Sequence, residues 1–243
     1  MRLDQALVQR GLAATRSQAR RMVEEGAVSL NGVLARKAAQ SVSDDAVLAL
    51  LKTQRFVSRG GEKLDFALEH FGVDVAGKSC LDVGASTGGF SDCLLQRGAA
   101  RVFCVDSGSN QLHASLQGDD RIQWRESFNA RHLQSVDLPF PVSLVVMDVS
   151  FISQTLLFPA VIRVLPPEGD FISLVKPQFE LSPRELGSGG IVRDEELQQK
   201  AINKVRNSAE EVGFSVRGLV ESPIHGGDGN REWMMWTRRG KRD

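Results

Sequence analysis

Apolar positions recur at helical spacing near the start of the chain and at strand spacing further on. Leu3, Ala6 and Leu7 fall on one face of a helix that Gly11 can end. TRSQARRMVEEG follows, with Thr15 or Ser17 as its cap, an apolar stripe at Ala19, Met22 and Val23, and Gly26 as its stop. AVSLNGVLA then predicts two short strands around the turn pair Asn31-Gly32. Residues 49–58 read as a linker, and beyond them strands alternate with helices. Strands are predicted at 79–83, 101–106, 121–126, 141–148 and 171–176, with FSVRGLVE and EWMMWTRR as the last two. Helices are predicted at KLDFALEHF, GGFSDCLLQRG, 153–165 and 194–212. This alternation implies an α/β domain with a doubly wound, mostly parallel sheet that binds ligands at the carboxyl ends of its strands. A small α+β head, residues 1–58, would precede a body of residues 59–243.

Composition changes this picture little, since 42% apolar and 25% charged residues are ordinary for a globular protein. No apolar run approaches the roughly 18 residues of a membrane span. The opening MRLDQALVQRGL lacks the apolar centre of a signal peptide. Cys80, Cys93 and Cys104 lie in or beside apolar segments without C-x-x-C spacing, so buried free thiols in a reducing cytoplasm are expected.

Charge changes the picture more. The chain is neutral as a whole, but residues 1–60 carry ten Lys and Arg against five acids, and the remainder carries 20 against 25. A basic head on an acidic body is expected to meet a polyanion. Arg16 and Arg20 lie four apart beside the apolar stripe, with Arg21 further round. With Arg2, Arg36, Lys37 and Arg59 they form an array able to grip phosphates without reading sequence. The order L-D-x-x-L, T-R-S-x-A, G-A-V-x-L-N-G resembles the small RNA-binding module of a ribosomal protein, over about residues 2 to 48.

Two glycine-rich stretches compete as phosphate or cofactor loops. GVDVAGKS, residues 72–79, satisfies the P-loop pattern, but it follows a helix and precedes a strand. A P-loop needs the reverse order, so Lys78 would sit at the wrong edge of the sheet. DVGASTGGF, residues 82–90, leaves the first strand of the body and opens a helix. Its glycines do not fit the dinucleotide pattern G-x-G-x-x-G. The stretch resembles motif one of S-adenosylmethionine-dependent methyltransferases. That resemblance implies that Asp82, Gly84, Ser86, Thr87, Gly88, Gly89 and Phe90 border the cofactor. Asp106 would then meet a ribose diol, and Ser127, Phe128 and Asn129 the adenine.

Four polar residues stand where this fold would gather them. Lys63 begins the first helix of the body, Asp148 and Lys176 end apolar strands, and Glu232 begins the last strand. Together they resemble the Lys-Asp-Lys-Glu tetrad of FtsJ-type ribose 2′-O-methyltransferases, in which Asp148 would also border the cofactor. A ribose hydroxyl is a poor nucleophile and must lose its proton as it attacks a sulfonium methyl. A partly buried lysine beside a second cation can act as base or stabilise the alkoxide. Lys176 is expected beside the target oxygen and Lys63 as its electrostatic partner, with the two acids orienting them. Base methylation is disfavoured: the loop after Asp148 reads VSF, without the prolines of adenine and guanine enzymes, and no cysteine follows Cys104.

Nearly the full chain resembles the TlyA (haemolysin A-like) family of ribosomal RNA methyltransferases. R-L-D, V-S-R-G-G-E-K-L, D-V-G-A-S-T-G-G-F, M-D-V-S-F-I, L-V-K-P-Q-F-E and S-P-I-x-G-x-x-G-N-x-E occur in order. The family implies 2′-O-methylation of cytidine in ribosomal RNA within subunits or ribosomes, with no metal and no membrane. DSGSNQL, residues 106–112, and Phe56, where an aromatic hydroxyl is common, depart from the family pattern. Two other classes stay open at this point: an RNA-binding assembly factor without catalysis, and a membrane-active haemolysin. Very little chain precedes Arg2, which is expected to narrow the range of substrates. FELSPRELGSGGIVRD, residues 179–194, reads either as a surface loop or as a lid that orders on RNA.

Overall fold

The chain divides into two units, Met1–Gln54 and Arg55–Asp243. The computed structural model describes all residues except 25, 52–54, 228 and 241–243. Positions 52–54 of the expected linker therefore lie outside the described residues.

In the first unit α1 (Leu3–Gln9) and α2 (Arg16–Glu24) pack their expected stripes together, burying Leu3, Ala6 and Leu7 against Ala19, Met22 and Val23. Thr15, not Ser17, is the cap: its hydroxyl accepts the Gln18 N–H at 3.1 Å. β1 (Val28–Leu30) and β2 (Val33–Leu34) are joined at Asn31 and Gly32, both left-handed, as a two-residue hairpin turn requires. A third strand, β3 (Leu48–Leu50), pairs antiparallel with β1. The linker reading missed it because three apolar residues are too few for a visible alternation.

The second unit runs α3 (Gly60–Phe71), β4 (Ser79–Val83), α4 (Gly89–Gln96), β5 (Arg101–Val105), α5 (Ala114–Gln117) and β6 (Ile122–Arg125). It continues with β7 (Leu144–Met147), α6 (Phe158–Val164), β8 (Asp170–Val175), α7 (Pro177–Glu180), α8 (Glu195–Glu211), β9 (Phe214–Glu221) and β10 (Trp233–Arg239). The sheet order is β6-β5-β4-β7-β8-β10-β9. Pairing is parallel from β6 to β8, and β10 runs antiparallel to both its neighbours. The order in which successive strands are added reverses between β4 and β7, which opens a crevice at the carboxyl ends of these parallel strands.

Alternation within the strands divides the core into two layers. Cys80 of β4 and Ile172 and Leu174 of β8 pack with Leu64, Leu68, Phe90 and Leu94 of α3 and α4. Leu81, Val83, Phe171 and Val175 face Phe158, Val161, Ile202 and Val205 of α6 and α8. All three cysteines are free and buried.

Two details differ from the expectation, and a third segment gains detail. Phe56 and Val57 do not belong to a loose linker: Phe56 packs into the first layer over Gly61, and the Val57 N–H is accepted by Asp92 at 2.8 Å. The helix expected at 153–165 is broken into a short turn at Gln154–Leu156 and then α6. Pro159, with no N–H and a fixed φ, suits only the first turn of a helix, so α6 starts afresh there. Segment 179–194 is built from α7 and tight turns, and it is tied down by Asn230. That residue accepts the Val192 N–H at 2.9 Å and donates to the Gly190 carbonyl at 3.2 Å.

The P-loop pattern occupies the turn between α3 and β4, at the amino edge of the sheet. Lys78 there pairs with Asp170, the first residue of β8, at 3.2 Å.

Candidate active site and cofactor cleft

The crevice holds a cavity of about 680 Å³, within the size range of small-molecule sites. The loops leaving β4, β5, β6 and β7 line it, with Gly84, Ser86, Asp106, Phe128, Asn129 and Asp148 among its walls. At Gly84 the φ is +82°, and an added Cβ would stand 2.5 Å from the Asp148 carbonyl oxygen. Only glycine lets the first loop pass this close to the fourth.

Asp106 joins two loops. Its carboxylate accepts the Ser86 N–H at 2.8 Å and the Gly108 N–H at 2.7 Å. An ionised carboxylate offers about four lone-pair positions, so capacity remains for a diol. Glu126, which sequence reasoning passed over, accepts N–H groups of Asn110, Gln111 and Leu112 and thereby shapes the DSGSNQL departure. The Gln111 bond comes first among the causes that hold its carboxyl below the ordinary value. Ser86, Asn110, Ser127 and Phe151 are left-handed without being glycine. All four sit on loops around this cavity, where such strain concentrates at functional sites.

Other expected residues act from behind the wall. Asp82 lies inside the ladder, opposite Cys104 and Val146, so its side chain turns into the helix layer. There its Oδ2 accepts the Ser91 hydroxyl at 2.7 Å, while Oδ1 has no partner. Burial pushes this carboxyl up to about 7, and the Ser91 hydrogen bond opposes the shift. Phe90 is in the core, Gly89 packs under Ser58, and Gly88 packs under Leu112 and Leu116. Ser127 donates its N–H to the Gly108 carbonyl at 2.7 Å, and the Thr87 carbonyl accepts from His113 at 3.2 Å. The walls that sequence missed, including Gln111, Arg131, Ser150, Phe151 and Ile152, lie one to five residues past recognised strand-end acids or the Asn129 loop. Position after a strand end was their only signal.

The four expected tetrad residues form two acid–lysine pairs. Lys176 Nζ lies 2.5 Å from Asp148 Oδ1, an ionic contact outside hydrogen-bond geometry, and donates to the Ser150 hydroxyl at 2.9 Å. Lys63 pairs with Glu232, and the two residues are only 8% and 2% exposed. Trp233 faces Val175 in the β8–β10 ladder, which brings the preceding Glu232 level with Lys176. The arrangement offers two cations, each steered by an acid, and Lys176 reaches the cavity wall through Asp148 and Ser150. Phe151 is 91% exposed there, and its ring centre lies 5.3 Å from that of Phe179.

The basic residues of the first unit are partly engaged. Arg2 and Arg16 converge on Asp4, which is 3% exposed, at 3.0 and 3.1 Å. The Arg2 hydrogen bond leads the causes that hold the Asp4 carboxyl down at about 2. Arg20 pairs with Glu24, Arg21 is half-buried with its Nε unpartnered, and Arg36 and Lys37 are exposed. In the second unit, the Arg59 guanidinium approaches Gly227.

A sheet of this order with its last strand reversed, a glycine loop at the switch point and an acid after β5 together define a class I methyltransferase. Residues 56–239 match the FtsJ-like methyltransferase family and residues 1–48 match the S4 domain. The 16S/23S rRNA (cytidine-2'-O)-methyltransferase TlyA of Mycobacterium tuberculosis is 43% identical over 98% of this chain and 89% of its own length. The 23S rRNA (cytidine-2'-O)-methyltransferase TlyA of Campylobacter jejuni is 30% identical over 97% and 98%. A solved structure from Streptococcus thermophilus, named as a hemolysin, is 41% identical with a TM-score of 0.81, covering 99% of this chain and 89% of that one. A Listeria monocytogenes S-adenosylmethionine-dependent methyltransferase, 13% identical over 76% of this chain and 100% of that one, shares the fold at a TM-score of 0.57. This chain belongs to the TlyA family of FtsJ-like methyltransferases. Among the described residues no helix is long and apolar enough to cross a membrane.

Proposed function

We propose that this chain methylates the 2′-hydroxyl of a cytidine ribose in ribosomal RNA, within ribosomal subunits or ribosomes in the cytoplasm. The observation that carries this reading is the pairing of Lys176 with Asp148, a wall of the glycine-lined cavity, together with the buried pair of Lys63 with Glu232. Gly84, Ser86, Asp106, Phe128, Asn129 and Asp148 fit S-adenosylmethionine: the glycine leaves backbone room, Asp106 keeps free acceptor capacity for hydroxyls, and Phe128 offers an apolar wall. When bound, that cofactor supplies an electrophilic methyl on a sulfonium.

The residues of the chain do the rest. Lys176, held by Asp148 and Ser150, stands beside the target oxygen and stabilises the negative charge that grows there as the hydroxyl proton passes to solvent water. Glu232 holds Lys63 as a second cation in support. Alignment of the hydroxyl with the methyl is a proximity effect, supplied by rigid strand ends. Phe151 presents an exposed aromatic face on which an unstacked base can rest. The S4 unit grips RNA phosphates through Arg2, Arg16, Arg36 and Lys37.

The test is transfer of labelled methyl to unmodified small subunits, large subunits and whole ribosomes, followed by nucleoside analysis. Labelled 2′-O-methylcytidine is expected, and the labelled particle names the substrate. Label on a base, or near-normal transfer by Lys176→Ala, would overturn the assignment.

A further inference from the structure

We infer that Glu180 is a positioning residue for the transfer reaction, acting through Lys176 and Asp148. The inference rests on the reading of that pair given above. Glu180 closes α7, four residues beyond Lys176, and its side chain turns inward to 5% exposure. Oε1 accepts the Gln154 N–H at 2.9 Å, and Oε2 accepts the Ser153 hydroxyl at 2.5 Å. Lys204 of α8 lies 3.4 Å from the same Oε2 and donates to the Glu180 carbonyl at 2.6 Å. A single carboxylate therefore joins three segments: the loop leaving β7, the helix leaving β8, and α8.

The place of this bridge gives it consequence. The ladder between β7 and β8 ends at Met147 and Ser173, so Asp148 and Lys176 stand beyond its hydrogen bonds. Beside the direct contacts of Lys176 with Asp148 and Ser150, the Glu180 carboxylate ties the two loops together from below, reinforced by the Gln154 amide on the Leu174 carbonyl at 3.3 Å. Above the bridge lie the Lys176–Asp148 contact and the Phe151–Phe179 pair. Phe179 is the residue before Glu180, and Phe151 comes two residues before Ser153. A residue needed only for packing would be apolar here, because desolvating a carboxylate is costly even when its partners satisfy it. A carboxylate bonded to two loops and a helix instead fixes their relative placement.

The experiment uses the full chain with unmodified ribosomal particles as substrate and measures single-turnover methyl transfer at saturating cofactor. Glu180→Ala is expected to slow transfer by ~10- to 100-fold, with RNA affinity unchanged. Glu180→Gln should recover most of the rate, because its amide oxygen still accepts from Gln154 and its nitrogen can donate to Ser153. If Glu180→Ala does not fold, Glu180→Asp serves: it keeps the charge but is too short to reach both loops, and the same slowing is expected. Glu180→Ala or Glu180→Asp should add nothing to the loss already caused by Lys176→Ala. Wild-type rate in the shortened variant, or a further full loss on top of Lys176→Ala, would overturn the inference. Near-normal transfer by Lys176→Ala alone would instead overturn the underlying reading of the tetrad, so the two failures are distinguishable.

Discussion

The Lys63–Glu232 pair makes the sharpest demand on the reasoning, because it sets stability and activity against each other. Replacing Lys63 by Met leaves a carboxylate that is 2% exposed without its cation. Breaking a buried ion pair on one side costs about 3–5 kcal/mol, whereas breaking a solvated one costs about 0–1 kcal/mol. For a unit of this size that corresponds to a fall in Tm of about 6–20 °C. Removing both charges, in Lys63→Met with Glu232→Leu, should recover most of the loss, since a well-packed apolar pair often matches a buried ionic one. Trp124, Trp233 and Trp236 are the only tryptophans and all belong to the second unit, so their fluorescence follows its melting alone. Neither variant should transfer methyl. A single variant within 1 kcal/mol of the parent would show that the pair is effectively solvated. A double variant no more stable than the single would refute the argument from desolvation.

Three further outcomes follow from the same structure. Gly84→Ala places a Cβ 2.5 Å from the Asp148 carbonyl at a φ of +82°, and dialysis should show cofactor affinity down by at least roughly tenfold; unchanged affinity would mean that this loop does not wall the cofactor site. Asp82, whose carboxyl is pushed up to about 7 in the folded state, keeps a proton that the unfolded chain releases near its ordinary value of about 4. Its stabilisation is therefore complete below about 4 and is lost as pH rises through about 7, so Asp82→Asn should flatten the decline in urea stability across that window. Arg16→Ala should weaken RNA binding and lower the slope of log affinity against log salt by about 1; an unaltered slope would place Arg16 away from phosphate.

Much of the site was legible because strand ends are legible. Asp148 and Lys176 follow runs of buried apolar residues, and a charge there must point out of the core. Asp106 was found the same way. Asp82 misled for a related reason: it sits two residues before the loop, still inside the ladder, so alternation turns it toward α4 and Ser91 rather than into the cavity. β3 escaped notice because only three residues pair. Glu180 carried no signal as a bridge, since its partners come from a loop 26 residues earlier and a helix 24 residues later.

By itself the sequence determined the alternating elements, the glycine loop and the four charged residues at the starts and ends of elements. These are local properties, written with a period of two or 3.6 residues and punctuated by glycine and proline. Only the tertiary structure decided that Lys63 meets Glu232, 169 residues away, while Lys176 meets Asp148. That partition depends on β10 inserting antiparallel between β8 and β9, an order of strands that no local pattern encodes. The burial of Asp82 and the bridge of Glu180 follow from the same packing, since a carboxylate's surroundings are set by whichever elements close over it.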